Sequence, residues 1–375
     1  MSREQPSTVR ERIPWAQPEI GALETQYVLE ALKSSWISGG PFVDRLEADF
    51  ARYCGVKFAA AVSNGTTAVH LAFLALDLKP GDEVIVPGFG FMAAANIALH
   101  MNLKPVFVEV DERTWCLDPH AFERAITPKT KAVVPVHTYG AVCAMDPILK
   151  IANDHSIAVV EDAAESFPSR YRGQISGTLG ALGCFSFQAT KTITTGEGGM
   201  VITHDPQLYE RLCLFRSHGM KKRRYWHDVP GHNFRLTNMQ AALGCAQLEG
   251  LPRVLEDRRR VHSAYINRLQ GQKGIQLQNF EADVTAVLWA MACRLDPGAF
   301  STDRDGVIEA LSGIGIETRP GFYASSLQPL YAAHKLPICE DVSRTVISLP
   351  TFPSLRNEQI DFICDQLLKL RTGHL

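Results

Sequence analysis

Short apolar runs alternate with helix-length segments through the first half of the chain. Residues 58–62, 83–87, 105–110, 132–137 and 157–160 are rich in Val, Ile and Ala, with polar residues gathered in the turns between them. Runs of that length and β-branched content read as strands buried on both faces. Around them the apolar positions recur with helical spacing over 22–32, 42–53, 68–76, 93–100 and 145–154; Phe42, Leu46 and Phe50, for example, share one face. Strand and helix in alternation predict an α/β fold with a mostly parallel central sheet covered on both sides by helices. Ligands of such sheets sit beyond the carboxyl ends of the strands, so the residues that follow each run are where chemistry is sought.

The pattern loosens further along. Residues 208–215 are helical in spacing, 216–235 form a long loop rich in basic and aromatic side chains, and a helical tract over 238–269 is interrupted near Pro252. Beyond it a strand over 284–295, a helix near 304–311 and a final helix over 357–370 follow. This predicts an N-terminal arm and large domain over 1–250 and a smaller C-terminal α+β domain over 251–375. Pro14 and Pro18 argue against helix in the arm.

Composition narrows the class. A chain of 375 residues fits one large and one smaller domain, and a formal charge of −2 gives no electrostatic case for nucleic acid or an anionic membrane. Nine scattered cysteines without a C-x-x-C pair suggest neither a disulfide framework nor a zinc site, and point to a reducing compartment. The N-terminus is charged and proline-bearing rather than apolar, and no run approaches the length of a membrane span. A cytoplasmic location is the simplest expectation.

Three strand ends carry the candidate chemistry. At 64–67, Asn-Gly-Thr-Thr opens a helix, and its free N–H groups at Gly65 and Thr66 suit a phosphate; the same four residues also suit a plain helix cap. At 161–165, Glu-Asp-Ala-Ala-Glu follows a buried strand, where a carboxylate is costly without a cationic partner. Asp162 there invites a protonated ring nitrogen or an arginine, or else caps the next helix, and no His or Cys is spaced to make it a metal site. At 184–200, CFSFQATKTITTGEGGM delivers Lys191 past a buried strand carrying Ser186, just before a glycine-rich turn. A lysine out of water is an amine able to react with a carbonyl. A phosphate cradle, a strand-end aspartate and a strand-end lysine, in that order on a parallel sheet, are what a pyridoxal phosphate site needs. Phe89, after 83–87, is placed to stack on the ring.

These stretches also resemble a family. NGTTA, EVIVPGF, PVHTYG, VVEDAAES and KTITTGEGG in combination, with 36–55, TRPGFY (318–323) and SLPTFP (348–353), are similar to the fold-type I sugar aminotransferases of the DegT/DnrJ/EryC1/StrS group over nearly the whole chain. The resemblance implies that Lys191 is the Schiff-base lysine, Asp162 the partner of the pyridine nitrogen and Glu165 a neighbour of the ring hydroxyl. It further implies that Gly65, Thr66 and Ser186 hold the phosphate and that Phe89 stacks. Asn233 would reach the phosphate from a neighbouring subunit, making a homodimer with shared sites. L-glutamate is the implied amino donor, and a nucleotide-linked 4-keto-6-deoxy sugar the acceptor, with GDP-4-keto-6-deoxy-D-mannose going to GDP-perosamine as the foremost case. A thymidine-linked keto sugar, an aminocyclitol, or a silent structural relative are the alternatives. Lys221, Lys222, Arg223, Arg224, Tyr225, Trp226 and His227 offer cations and rings for a diphosphate and base, or form a solvated loop. Arg319 is a further candidate for substrate, and His137 either touches ligand or is a satisfied core histidine.

Overall fold

The computed structural model describes residues 12–221, 223–331 and 334–372. The central sheet contains β1 (Phe58–Val62), β2 (Glu83–Pro87), β3 (Lys104–Val108), β4 (Thr130–Val133) and β5 (Ala158–Asp162). Past a hairpin of β6 (Arg170–Tyr171) and β7 (Gln174–Ile175), it is completed by β8 (Leu182–Ser186) and β9 (Gly199–Thr203). The order across its seven strands is β1-β9-β8-β5-β4-β2-β3. β8, β5, β4, β2 and β3 run parallel, whereas β9 lies antiparallel between β1 and β8.

The side-chain alternation of a strand explains why these runs are apolar throughout. Ala60 and Val62 of β1 join Val84, Val86 and Val160 in one core layer, while Ala59 and Ala61 pack with Phe50, Phe185 and Ile202 on the other side. Toward the opposite edge Ile85, Val133 and Val159 meet Phe122 and Ile148. Both faces are thus covered, as a parallel sheet requires.

Residues beyond 270 build a second, antiparallel sheet. It consists of β10 (Ile275–Leu277), β12 (Met291–Leu295), β13 (Arg319–Pro320) and β14 (Val346–Leu349), in the order β10-β12-β14-β13, and packs against the helices Leu251–Leu269, Arg304–Gly313 and Asn357–Lys369 through Tyr265, Leu311 and Ile363. The strand expected over 284–295 is two pieces. β11 (Val284–Thr285) pairs with β6, and the chain leaves the ladder before β12 because the carbonyls of Leu288 and Trp289 are taken by Arg258 Nη1, at 3.0 and 3.2 Å.

Two helix boundaries also differ from the expectation. The tract 238–269 breaks at Gly250 into Asn238–Glu249 and Leu251–Leu269, with Pro252 in the first turn, where its missing N–H is harmless. The helix expected from 68 begins at Gly65. Residues 1–11 of the expected arm lie outside the described residues; Ile13 and Trp15 are buried, and Ile13 bridges to Ile316. No helix among the described residues is long and apolar enough to cross a membrane.

Candidate active site

Alternation along β5 separates its two terminal carboxylates. Glu161 is fully buried and accepts N–H bonds from Gly177, Leu179 and Gly180 at 2.8, 2.7 and 2.6 Å. His137 Nε2 lies 2.9 Å from it. Since His137 Nδ1 accepts the Cys143 N–H at 3.2 Å, the ring proton sits on Nε2 and is donated to Glu161. His137 is therefore a satisfied core histidine, and Glu161 holds the loop before β8.

Asp162 faces the other way, toward Lys191. It is 5% exposed, its Oδ1 accepts the Ala164 N–H at 3.1 Å, and no hydrogen bond from the described residues reaches Oδ2. Burial pushes its pKa up, while the Ala164 N–H, Lys191 and His137 pull it down. Glu165, equally buried, accepts the Tyr139 N–H at 3.0 Å. Burial pushes it up to about 7 against the pull of Lys191 and the Tyr139 N–H. Lys191 is shifted in the opposite sense: burial lowers its pKa, and Glu165 and Asp162 raise it. Its Nζ stands 3.6 Å from the centre of the Trp289 ring.

The turn after β1 arrives beside this cluster because glycines let it. Asn64 caps the helix by accepting both the N–H and the hydroxyl of Thr67 at 2.8 Å, so the first-turn N–H groups of Gly65 and Thr66 carry no intrahelical bond. The cap and the anion cradle are compatible: Asn64 serves Thr67 and leaves the two preceding donors free. A Cβ on Gly65 would stand 2.8 Å from Ser186 Cβ, and one on Gly199 would stand 2.7 Å from the Asn64 carbonyl carbon. Ser186 is thereby pressed against the helix start. Two N–H groups without a partner among the described residues, a helix N-terminus and a serine hydroxyl suit a dianion. The buried carboxylate with an unbonded oxygen fits a protonated pyridine, and the desolvated amine fits an aldehyde, so the donor set matches pyridoxal phosphate. Among the described residues no group of three or more metal-ligating side chains is gathered.

Phe89, following β2, is fully buried and meets Phe322 edge-on at 6.0 Å. Phe322 in turn stacks on Tyr139 at 5.2 Å, and Tyr139 lies parallel to Trp289 at 6.1 Å. Tyr139, Phe322 and Trp289 are members of the site that the residue pattern did not single out. PVHTYG and TRPGFY flagged the first two as motifs without assigning them; Trp289 sits in an ordinary apolar run.

Other candidates stand apart. Asn233 is exposed, with its Oδ1 accepting from Arg235 Nε at 3.0 Å. In the loop, Lys221 pairs with Glu210 at 2.8 Å, and Arg223 and Arg224 each lie 5.0 Å over the rings of Trp226 and Tyr225. His227 Nδ1 donates to the His218 carbonyl at 2.7 Å. Tyr225 and Trp226 are 75% and 55% exposed, and Lys222 lies outside the described residues. Arg319 rests 4.0 Å over Trp15, whose ring meets Trp289 edge-on at 5.4 Å. Two indoles therefore separate Arg319 from Lys191.

Comparison with known proteins agrees with this geometry. The GDP-perosamine synthase of Caulobacter vibrioides is 44% identical over 367 residues, spanning 95% of this chain and 98% of its own. That of Escherichia coli O157:H7 is 41% identical over 359 residues, spanning 95% and 97%. The solved structure of S. venezuelae DesV superimposes with a TM-score of 0.86 at 34% identity, covering 92% of this chain and 93% of that one. Residues 18–368 match the profile of a single family. The chain belongs to the DegT/DnrJ/EryC1/StrS aminotransferase family, and its chemistry depends on pyridoxal phosphate.

Proposed function

We propose that the chain moves the amino group of L-glutamate to the C4 carbonyl of GDP-4-keto-6-deoxy-D-mannose, giving GDP-perosamine. The placement of Lys191 between a desolvating wall and two buried carboxylates carries the reaction class; similarity over 95% of the chain to two GDP-perosamine synthases carries the sugar.

When bound, pyridoxal phosphate supplies a covalent carbonyl and an electron-withdrawing ring. The Gly65 and Thr66 N–H groups and the Ser186 hydroxyl would hold its phosphate, Asp162 would receive the ring N–H, Glu165 would stand by the ring hydroxyl, and Phe89 would pack on the ring. Asp162 has no other claim on its Oδ2, which is why its carboxylate is free to keep a proton on the ring nitrogen. Lys191 would hold the cofactor through its Nζ, and the same amine, once free, would take the proton from the donor's α-carbon and deliver it onward as general base and acid. Burial favours the neutral amine that this step requires. Tyr139, Phe322 and Trp289 exclude water around it.

Asn233 is exposed on its own chain, which suits a residue that completes the phosphate site of a second copy in a homodimer. The exposed pairs Arg223–Trp226 and Arg224–Tyr225 suit a nucleotide's diphosphate and base. Arg319 is a further contact for substrate. The large and small domains divide near Gly250, where the helix breaks.

The test is spectroscopic. L-glutamate should bleach the visible band of the purified enzyme, and GDP-4-keto-6-deoxy-D-mannose should restore it. Restoration only by a thymidine-linked keto sugar or a cyclitol would keep the reaction and replace the acceptor. No bleaching by glutamate would overturn the donor assignment.

A further inference from the structure

Trp289 touches Lys191 in two ways. Its ring face lies 3.6 Å from Nζ, and its Nε1–H donates to the carbonyl of Thr190, the residue just before the lysine, at 2.9 Å. The indole is itself fixed on several sides: it is 9% exposed, meets Trp15 edge-on and Tyr139 in parallel, and has its own carbonyl held by the buried Arg258. A ring this constrained is a rigid shelf.

We propose that Trp289 is a positioning residue for Lys191, its ring face seating the free amine apart from the carboxylates of Asp162 and Glu165.

The alternative seat for the amine is an ion pair. Asp162 and Glu165 both act on Lys191 through their charges, yet no hydrogen bond from its Nζ to either carboxylate forms among the described residues. Were the ammonium to close on Glu165, the charged form would be favoured and the proton held. A carbonyl needs the neutral amine. The ring attracts the ammonium weakly and accepts no proton, so it holds Nζ in place without trapping it. On the far side, Arg258 and Glu19 line a narrow cavity together with Lys191; the Arg258 guanidinium, bonded to the carbonyls of Leu288 and Trp289, offers the amine no acceptor.

The proposal rests on Lys191 being the reactive amine, but its test uses neither glutamate nor sugar, so a wrong acceptor or donor leaves it unaffected. Cofactor-free protein is labelled with acetic anhydride across a pH series. Peptide mass spectrometry reads acetylation at Lys191, with the exposed Lys57 as internal standard. Trp289→Leu keeps apolar bulk and removes the ring face; Trp289→Phe keeps a face and loses the N–H. The Lys191 midpoint should rise by about one pH unit in Trp289→Leu and stay near the parent in Trp289→Phe, and the rate at which added pyridoxal phosphate develops its visible band at neutral pH should fall about tenfold in Trp289→Leu alone. An unchanged or lower midpoint in Trp289→Leu, or equal midpoints in the two variants, would overturn the proposal. Equal losses of melting temperature with no change at Lys191 would mark Trp289 as packing only.

Discussion

Among the described residues three cations rest on indole rings, and two of them, Lys191 and Arg223, differ in everything else. Lys191 Nζ lies 3.6 Å from the Trp289 ring inside the cleft; the Arg223 guanidinium lies 5.0 Å over Trp226 on an exposed loop. Around Lys191, burial and two carboxylates pull the pKa in opposite directions, so protonation becomes adjustable. Around Arg223, by contrast, water solvates the guanidinium on an exposed loop. On the proposed reading, the same contact serves proton transfer at Lys191 and recognition of a charged ligand at Arg223. The difference lies in the desolvation, not in the pair.

Substitutions can widen or erase that contrast. The largest effect is expected at the buried end: Asp162→Ala should lower turnover by about 10³-fold while cofactor content falls far less, as read by steady-state rates beside the visible band of the purified variant. Near-normal turnover would remove Asp162 from the chemistry. Next, Gly65→Ala drives a methyl to 2.8 Å from Ser186 Cβ and should raise the dissociation constant for pyridoxal phosphate about tenfold, which is about 1.4 kcal/mol; fluorescence titration of cofactor-free protein checks it, and unchanged affinity would show that this turn is not the phosphate seat.

On the exposed side, Arg223→Ala and Trp226→Ala should raise KM for the nucleotide sugar roughly threefold to tenfold, with kcat and melting temperature close to the parent because the groups are solvated. A fall in kcat with KM unchanged would bring the loop into the chemistry and blur the comparison. The smallest effect concerns pH. Glu165 stands at about 7 in the folded protein against an ordinary 4.5, so the fold prefers it protonated. Its contribution to stability is complete below pH 4.5 and is lost as pH rises to 7. In cofactor-free protein, Glu165→Gln should flatten the part of the melting-temperature decline that falls in this window; identical profiles would mean that Glu165 ionises freely.

The strands and helices of the large domain were readable where local pattern decides. The strand Glu83–Pro87 and the helices Ala93–His100 and Met145–Asp154 lie where periodicity places them, because their apolar residues meet the core at the period of the element. The family and its cofactor were readable too, since 64–67, 161–165 and 184–200 each kept a recognisable chemistry. What escaped was non-local. The reversal of β9 follows a glycine turn whose partner strand begins far earlier in the chain. Strand β14 and the helix before it, Pro337–Thr345, are short and find their order only against β12 and β13. Trp289 and Tyr139 have no spacing to announce them: one is placed by Arg258, the other by a left-handed backbone with φ of 58°, and neither cause can be read from adjacent residues.

The reversed strand carries a further consequence, for the order of synthesis. β1 joins the sheet through β9 alone, so the strand that leads into the helix start at Gly65 has no partner in the sheet until residues 199–203 leave the ribosome. A nascent chain that ends just after Lys191 holds that lysine, Asp162 and Ser186, with the strand before Gly65 still unpaired in the sheet. On the proposed reading of the site, full cofactor capture follows the long-range pairing of β1 with β9.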